Sequence, residues 1–220
     1  MGSNCLMSLP DEGGGVADYL DTFATVIIWL NGGFAAGKTT LAQELHRRLP
    51  DALVYNPEDV GLMLWKWMQP NDDFQDLPSW RELVVATALS LRRHHSHTLI
   101  VPMSLVRDAY RAEILGGLAD AGEEVLHVFL QADADVLRER LSARTPVPGD
   151  PESDQSGLEW ALSRMDPTAG ARQPDGTVVL RSDRLTPAEL ADEVLAAAPP
   201  ALRFRQVNPA NSPSGGSGPT

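Results

Sequence analysis

Basic residues are scarce in this chain: 18 Lys and Arg stand against 30 Asp and Glu, a formal net charge of −12 over 220 residues. That balance argues against a nucleic-acid or anionic-membrane binder, whose phosphate contacts need clustered cations. A small phosphorylated ligand needs only a local cluster and stays possible. Cysteine occurs once, at Cys5, which excludes an intramolecular disulfide and fits a reducing, cytoplasmic setting. No apolar run reaches the roughly 20 residues of a membrane span, although these counts leave a peripheral membrane contact open. No Lys or Arg precedes Val26, so a secretory n-region is lacking. Met1-Gly2 is followed at the sixth position by Leu6, where N-myristoylation requires Ser or Thr.

Regular periodicity is missing at both ends. Residues 1–24 are acidic and glycine-rich, with Asp11-Glu-Gly-Gly-Gly15, and residues 199–220 finish in low-complexity Pro, Ser, Gly and Asn. The expectation is a flexible extension and a disordered tail around one domain at 25–198.

What that domain does contain is a β-branched apolar run, Thr25 to Asn31, then Gly32-Gly-Phe-Ala-Ala-Gly-Lys-Thr-Thr40, then an amphipathic segment to Leu49 stopped by Pro50. Gly32, Gly37, Lys38 and Thr39 fit G-x-x-x-x-G-K-S/T in the strand–loop–helix context that gives the motif meaning. A loop that wraps a polyphosphate turns its N–H groups inward and needs positions without a β-carbon. Gly32, Gly33, Phe34, Ala35, Ala36, Gly37, Lys38, Thr39 and Thr40 are therefore the expected ATP-binding residues. Lys38 reaches the β- and γ-phosphates, Thr39 ligates Mg²⁺, and Thr40 lies toward the α-phosphate.

Four more strands are expected, at Asp51–Asn56, Thr98–Pro102, Glu124–Leu130 and Thr177–Leu180, alternating with helices near Val60–Met68, Ser79–His95, Ser104–Ala121, Asp133–Arg144, Gly157–Met165 and from Thr186 to just before Pro199. Ser79-Trp-Arg-Glu82 and Thr186-Pro-Ala-Glu189 both read as capping boxes. The pattern is that of an α/β, three-layer phosphate-loop NTPase fold: a five-stranded parallel sheet, helices on both faces, and a mobile lid at about 145–157.

Ligands in such sheets meet the carboxyl ends of the strands. Glu58 and Asp59, just beyond the second strand and Pro57, are then candidates for general base, with Asp59 also a candidate for Mg²⁺ through water; both equally suit the first turn of a helix. An Asp often closes the third strand in phosphate-loop enzymes, but Pro102-Met103-Ser104 stands there. Arg140 and Arg144, four apart on one helical face beside the lid, are candidates to neutralise the transferring phosphoryl group. Phe74, Gln75, Trp80 and Arg81 offer rings, an amide and a guanidinium to a nucleoside- or sugar-like small-molecule substrate, with Trp65 in a dense apolar helix that is core or pocket wall. His94-His95-Ser96-His97 lacks a Cys or carboxylate at ligand spacing and does not read as a metal site.

Ile27-Ile-Trp-Leu-Asn-Gly-Gly-Phe-Ala-Ala-Gly-Lys-Thr39, Glu44-Leu-His-Arg-Arg-Leu49, Tyr55-Asn-Pro-Glu58, Asp73-Phe-Gln75, Trp80-Arg81 and Leu99-Ile-Val-Pro-Met103 together resemble the tunicamycin-resistance ATP-binding protein family, over about residues 25 to 196. The resemblance implies protection against a nucleoside antibiotic carrying uracil, aminosugars and an acyl chain, with phosphorylation of an acceptor hydroxyl as the chemistry. It places an Asp where this chain has Asn56, which moves a base role to Glu58 or Asp59. Two other readings stay open: an ATP-gated protein that sequesters the drug without transfer, and a kinase of an endogenous nucleoside or sugar.

Overall fold

In the computed structural model of the protein, which describes residues 26–68, 72–105, 107–143, 159, 161–162 and 173–200, strand β1 (Val26–Gly32) is buried at every position. The β-branched run at its start favours an extended chain, and burial on both faces marks the middle of a parallel sheet. β2 (Leu53–Val54), β3 (Thr98–Pro102), β4 (Val125–Gln131) and β5 (Val178–Arg181) complete that sheet in the order β2-β3-β1-β4-β5. Every pair is parallel: Val26 to Leu30 face Thr98 to Pro102 on one side, and Ile27 to Gly32 face Val125 to Leu130 on the other. Strand order reverses at β1, so the crevice beyond its carboxyl end is the expected ligand site.

The alternation of side chains along β1 divides the core in two. Val26, Ile28 and Leu30 pack with Leu41 and Leu45 of α1 (Lys38–Arg48) and with Leu190, Val194 and Leu195 of α6 (Pro187–Ala197). Ile27 and Trp29 pack with Val60 and Leu64 of α2 (Glu58–Leu64), Trp80 and Val84 of α3 (Pro78–His94), and Ile114 and Leu118 of α4 (Asp108–Asp120). α5 (Ala134–Ser142) adds Leu137 to the first cluster. Helices thus cover both faces, as the strand–helix alternation implies.

The elements agree with the pattern to within a few residues, and the differences have causes. The expected helix through Met68 stops at Leu64, followed by a turn in which Trp65 and Trp67 donate N–H to Gly61 O and Leu64 O. Trp67 is 75% exposed and Leu62 53%, so the dense apolar run is only in part core. The capping box expected at Ser79 does not form: Leu77 is the N-cap without a side-chain bond and Pro78 takes the first turn, where its missing N–H costs nothing. The box at Thr186 is present, with Glu189 N donating to Thr186 Oγ1 at 3.3 Å and Thr186 N to Glu189 Oε2 at 2.8 Å. The proposed lid, most of the helix expected at 157–165, Arg144, the N-terminal extension and most of the tail lie outside the described residues; 159 and 161–162 are helical.

Because the Thr186 box satisfies two helix-end donors at once, Thr186→Ala should cost about 1 kcal/mol. Urea denaturation measures it, and an unchanged midpoint would show that the box does not support α6.

Candidate functional site

The loop between β1 and α1 turns on two glycines with positive φ, Gly32 at 137° and Gly37 at 94°, and on Ala35 at 59°. At Gly32 a β-carbon would sit 2.6 Å from Leu130 O, so no other residue fits without moving β4. Ala36 is fully buried beneath the loop. Gly37 caps α1 with no side-chain hydrogen bond, and the first turn of α1 carries no acidic residue. The unpaired amides and positive dipole end of this 11-residue helix therefore face the crevice. An anion suits that arrangement, and a polyphosphate in particular.

Lys38 Nζ donates to Gly32 O at 3.0 Å and to Gly33 O at 2.8 Å. An ammonium has three donors, and two carbonyls hold this one at the inner edge of the loop. Burial pushes the Lys38 pKa down from 10.5 to about 8, opposed by the charge of Glu58. Burial raises the pKa of Tyr55, opposed by a hydrogen bond with Thr87 and aided in smaller part by the charge of Asp59. Asn56 bonds locally, its Oδ1 accepting from Glu58 N at 3.2 Å, which fixes the turn into α2. Thr39 and Thr40 are exposed at the helix start, as a metal ligand and an α-phosphate contact require. No group of three His, Cys, Asp or Glu suited to a metal occurs among the described residues.

On the α6 side of the loop lies a cavity of about 230 Å³ lined by Gly37, Thr40, Leu41, Arg140, Ser182, Leu185 and Pro187 among others. Arg140 Nη2 donates to Ser182 O at 2.9 Å, so its guanidinium belongs to this wall of the loop. Of the two arginines expected beside the phosphates, Arg140 lines this cavity and Arg144 lies outside the described residues.

On the other side the expected acceptor residues split. Phe74 packs between Trp65 and Trp80, with ring centroids 5.4 and 5.3 Å away, and fills the space that Gly61 leaves: a β-carbon there would lie 2.5 Å from Phe74 Cγ. Trp80 has no exposure and donates its indole N–H to Pro57 O at 3.0 Å, which makes it the support of this wall and of the turn carrying Glu58. Gln75 is 9% exposed, and its backbone carbonyl accepts from Arg81 Nη1 at 2.7 Å. Arg81 also pairs with Glu113 at 2.6 Å and lies 4.3 Å from the Tyr110 ring. Trp65, Phe74, Trp80 and Arg81 thus form one wall, in which Trp65 and Phe74 are half-buried.

Several participants escape the motif. Asp76 accepts from Arg107 and, at 2.8 Å, from Tyr110 Oη, tying the 3₁₀ turn Phe74–Asp76 to α4. Ser104 Oγ donates to Gly32 O at 2.8 Å, at the place where an Asp was looked for. Asn31, fully buried, takes four hydrogen bonds under the loop. A polar residue closing an otherwise apolar strand was the visible signal for Asn31; Asp76, Arg107 and Tyr110 carry none, because only the fold brings them together.

The family model for an AAA domain matches residues 27–168. The structure is similar to the tunicamycin resistance protein of Deinococcus radiodurans at 31% identity, covering 80% of this chain and 99% of that one with a TM-score of 0.61. It is also similar to the Mycobacterium tuberculosis APS kinase in complex with AMPPNP and APS, at 18% identity, 80% and 98% coverage and TM-score 0.58. A gluconokinase of Sinorhizobium meliloti follows at 20% identity, 84% and 96% coverage and TM-score 0.50. The last two likenesses speak for the fold alone. No curated protein matches by sequence. Among the described residues no helix is long and apolar enough to cross a membrane.

Lys38 must be charged to hold a phosphate, and its proton leaves as the pH rises through about 8. Affinity for a non-hydrolysable ATP analogue should therefore fall above that pH, by up to about tenfold per unit. Titration calorimetry across the range, with Lys38→Arg as a variant that keeps its charge, checks this; parallel profiles for the two proteins would contradict it.

Proposed function

This chain belongs to the AAA-domain family and to the tunicamycin resistance proteins, with the fold of phosphate-loop kinases, and on that premise we propose that it transfers a phosphoryl group from ATP to a hydroxyl of a nucleoside- or sugar-like small molecule, and thereby confers resistance to tunicamycin. The observation that carries the reading is the phosphate loop itself, with Gly32 and Gly37 at positive φ, Lys38 Nζ held by Gly32 O and Gly33 O, and an acid-free first turn of α1 behind it.

ATP with Mg²⁺, when bound, supplies the phosphoryl group and part of the charge that neutralises it. The chain's own residues do the rest. The amides of α1 and Lys38 bind and orient the phosphates, Thr39 offers its hydroxyl to the metal, and Arg140 with Ser182, Leu185 and Pro187 offers a half-apolar recess of about 230 Å³ for a nucleobase. Glu58 takes the proton of the acceptor hydroxyl, whose oxygen forms the new bond to the γ-phosphorus as the bond to the bridging oxygen breaks and ADP leaves. Asp59, in the first turn of α2, contributes to the dipole of that helix and not to proton transfer. Trp65 and Phe74 provide ring surface for the acceptor, with Arg81 as the polar end of the same wall. Exposed Leu62 and Trp67 continue the apolar surface outward, suited to an acyl chain. The site is expected to work in the cytoplasm.

The test is phosphate-mass gain by tunicamycin, uridine or UDP-N-acetylglucosamine with ATP and Mg²⁺, followed by ³¹P NMR. Lys38→Ala should abolish it, Glu58→Gln should lower kcat by about 10²-fold or more, and Asp59→Asn should change kcat by less than about threefold. Saturable drug binding with ATP but no adduct would replace transfer by sequestration. Transfer to uridine but not to the drug would point to an endogenous acceptor. Trp67→Ala should raise the KM for tunicamycin and leave that for uridine alone; equal effects on both would remove the acyl-chain role.

A further inference from the structure

Asn31 lies directly beneath the phosphate loop with no solvent exposure. Its Oδ1 accepts from Gly32 N and from Leu105 N, both at 2.8 Å. Those two donors are backbone amides and fix which end of the side chain is oxygen. Nδ2 then donates to Leu105 O at 3.1 Å and lies 3.2 Å from His127 Nε2, so His127 Nε2 carries the lone pair. Its other nitrogen, Nδ1, holds the proton and donates it to Thr177 Oγ1 at 3.0 Å. All four hydrogen-bonding positions of the amide are used.

We propose that Asn31 is a positioning residue that joins the first peptide of the phosphate loop to the β3–α4 loop, and that His127, with its Nε2 lone pair on Asn31 Nδ2 and its Nδ1 proton on Thr177, supports the Asn31 amide in the orientation this requires. A flipped amide would set Nδ2 against two backbone N–H donors and Oδ1 against Leu105 O and the His127 lone pair. Each contact would then be repulsive. The join matters because Leu105 directly follows Ser104 on the same loop: Ser104 Oγ holds Gly32 O, the carbonyl that also receives Lys38. The next described residue, Arg107, bonds Asp76 at the acceptor wall. One amide thus ties the donor side of the crevice to the acceptor side.

The groups facing His127 are Asn31 from β1, Thr177 before β5, and the Arg111 guanidinium from α4, which is paired with Asp108 at 2.8 Å. Burial, and then the Arg111 charge, lower the His127 pKa to about 4. The neutral, ordered form therefore prevails through the physiological range.

The inference rests on nucleotide binding at the phosphate loop, and the test separates the two. Asn31→Asp keeps the acceptor oxygen for Gly32 N and Leu105 N but confronts His127 Nε2 with a second acceptor, which only a protonated imidazole relieves. Affinity for a fluorescent, non-hydrolysable ATP analogue should be about tenfold weaker than wild type near pH 8. The gap should narrow several-fold as the pH falls to about 6, when His127 takes a proton for the carboxylate. In Asn31→Asp with His127→Gln the ratio to wild type should be flat with pH, which a purely structural loss at Asn31 alone would not distinguish from the single variant. Should Asn31→Asp not fold, ring ¹⁵N NMR of His127 in the unaltered protein decides the orientation: Nδ1–H with unprotonated Nε2 is expected. Wild type without affinity for the analogue overturns the nucleotide reading. Wild-type binding with an Asn31→Asp ratio that does not vary with pH, or an Nε2–H tautomer, overturns the inference.

Discussion

The peptide at Gly32 is the point on which the structure turns. Its φ of 137° and the 2.6 Å that would separate a β-carbon from Leu130 O leave glycine as the one residue that lets β1 end and the loop begin beside β4. Its N–H and C=O are both held from within the fold, by Asn31 on one side and by Ser104 and Lys38 on the other. A loop that must present amides to an anion has few contacts of its own, and its shape therefore comes from these inward bonds. Preorganisation of this kind lets binding proceed without a cost for ordering the loop.

Charge is managed locally in a chain that is strongly acidic as a whole. The first turn of α1 has no acid, while the first turn of α2, across the crevice, has two. The amide end of α1 and Lys38 thus stand free of the chain's acids in their own first turn. Elsewhere arginines are matched with carboxylates: Arg92 with Glu123, Arg181 with Asp133 and Asp183, Arg48 with Glu44 and Asp192. These pairs fasten helix ends and loops to the sheet and leave the crevice electrostatics to a small number of groups.

The fold was largely legible because its signals are local and repeated. β-branched runs gave the strands and apolar periodicity gave the helices. The phosphate loop announced its own strand and helix. Exact ends were less legible where two local signals competed, as at Pro78, which displaced the Ser79 box. The site was legible only where one segment carries it. Gly32 to Thr40 could be read in order, whereas the packing of Phe74 between Trp65 and Trp80 and of Arg81 on Tyr110 depends on the fold. Trp80 looked like a ring for a ligand and turned out to be a support, since exposure is a property of packing. Asn31 was visible as the one polar residue in an apolar strand, but its partners Leu105, His127 and Thr177 come from three other parts of the chain.

The pairing of β1 carries a consequence for how the protein is made. Its neighbours on either side are Thr98–Pro102 and Val125–Gln131, so the first strand of the domain waits for β3 before it has one partner and for β4 before it has both. Parallel pairing over such separations is slow to form and leaves apolar edges open in the meantime. On a ribosome, the nucleotide loop is translated early but acquires its shape only after β4 has emerged. Until then Ile27, Ile28 and Trp29 belong to an apolar strand with at least one open edge.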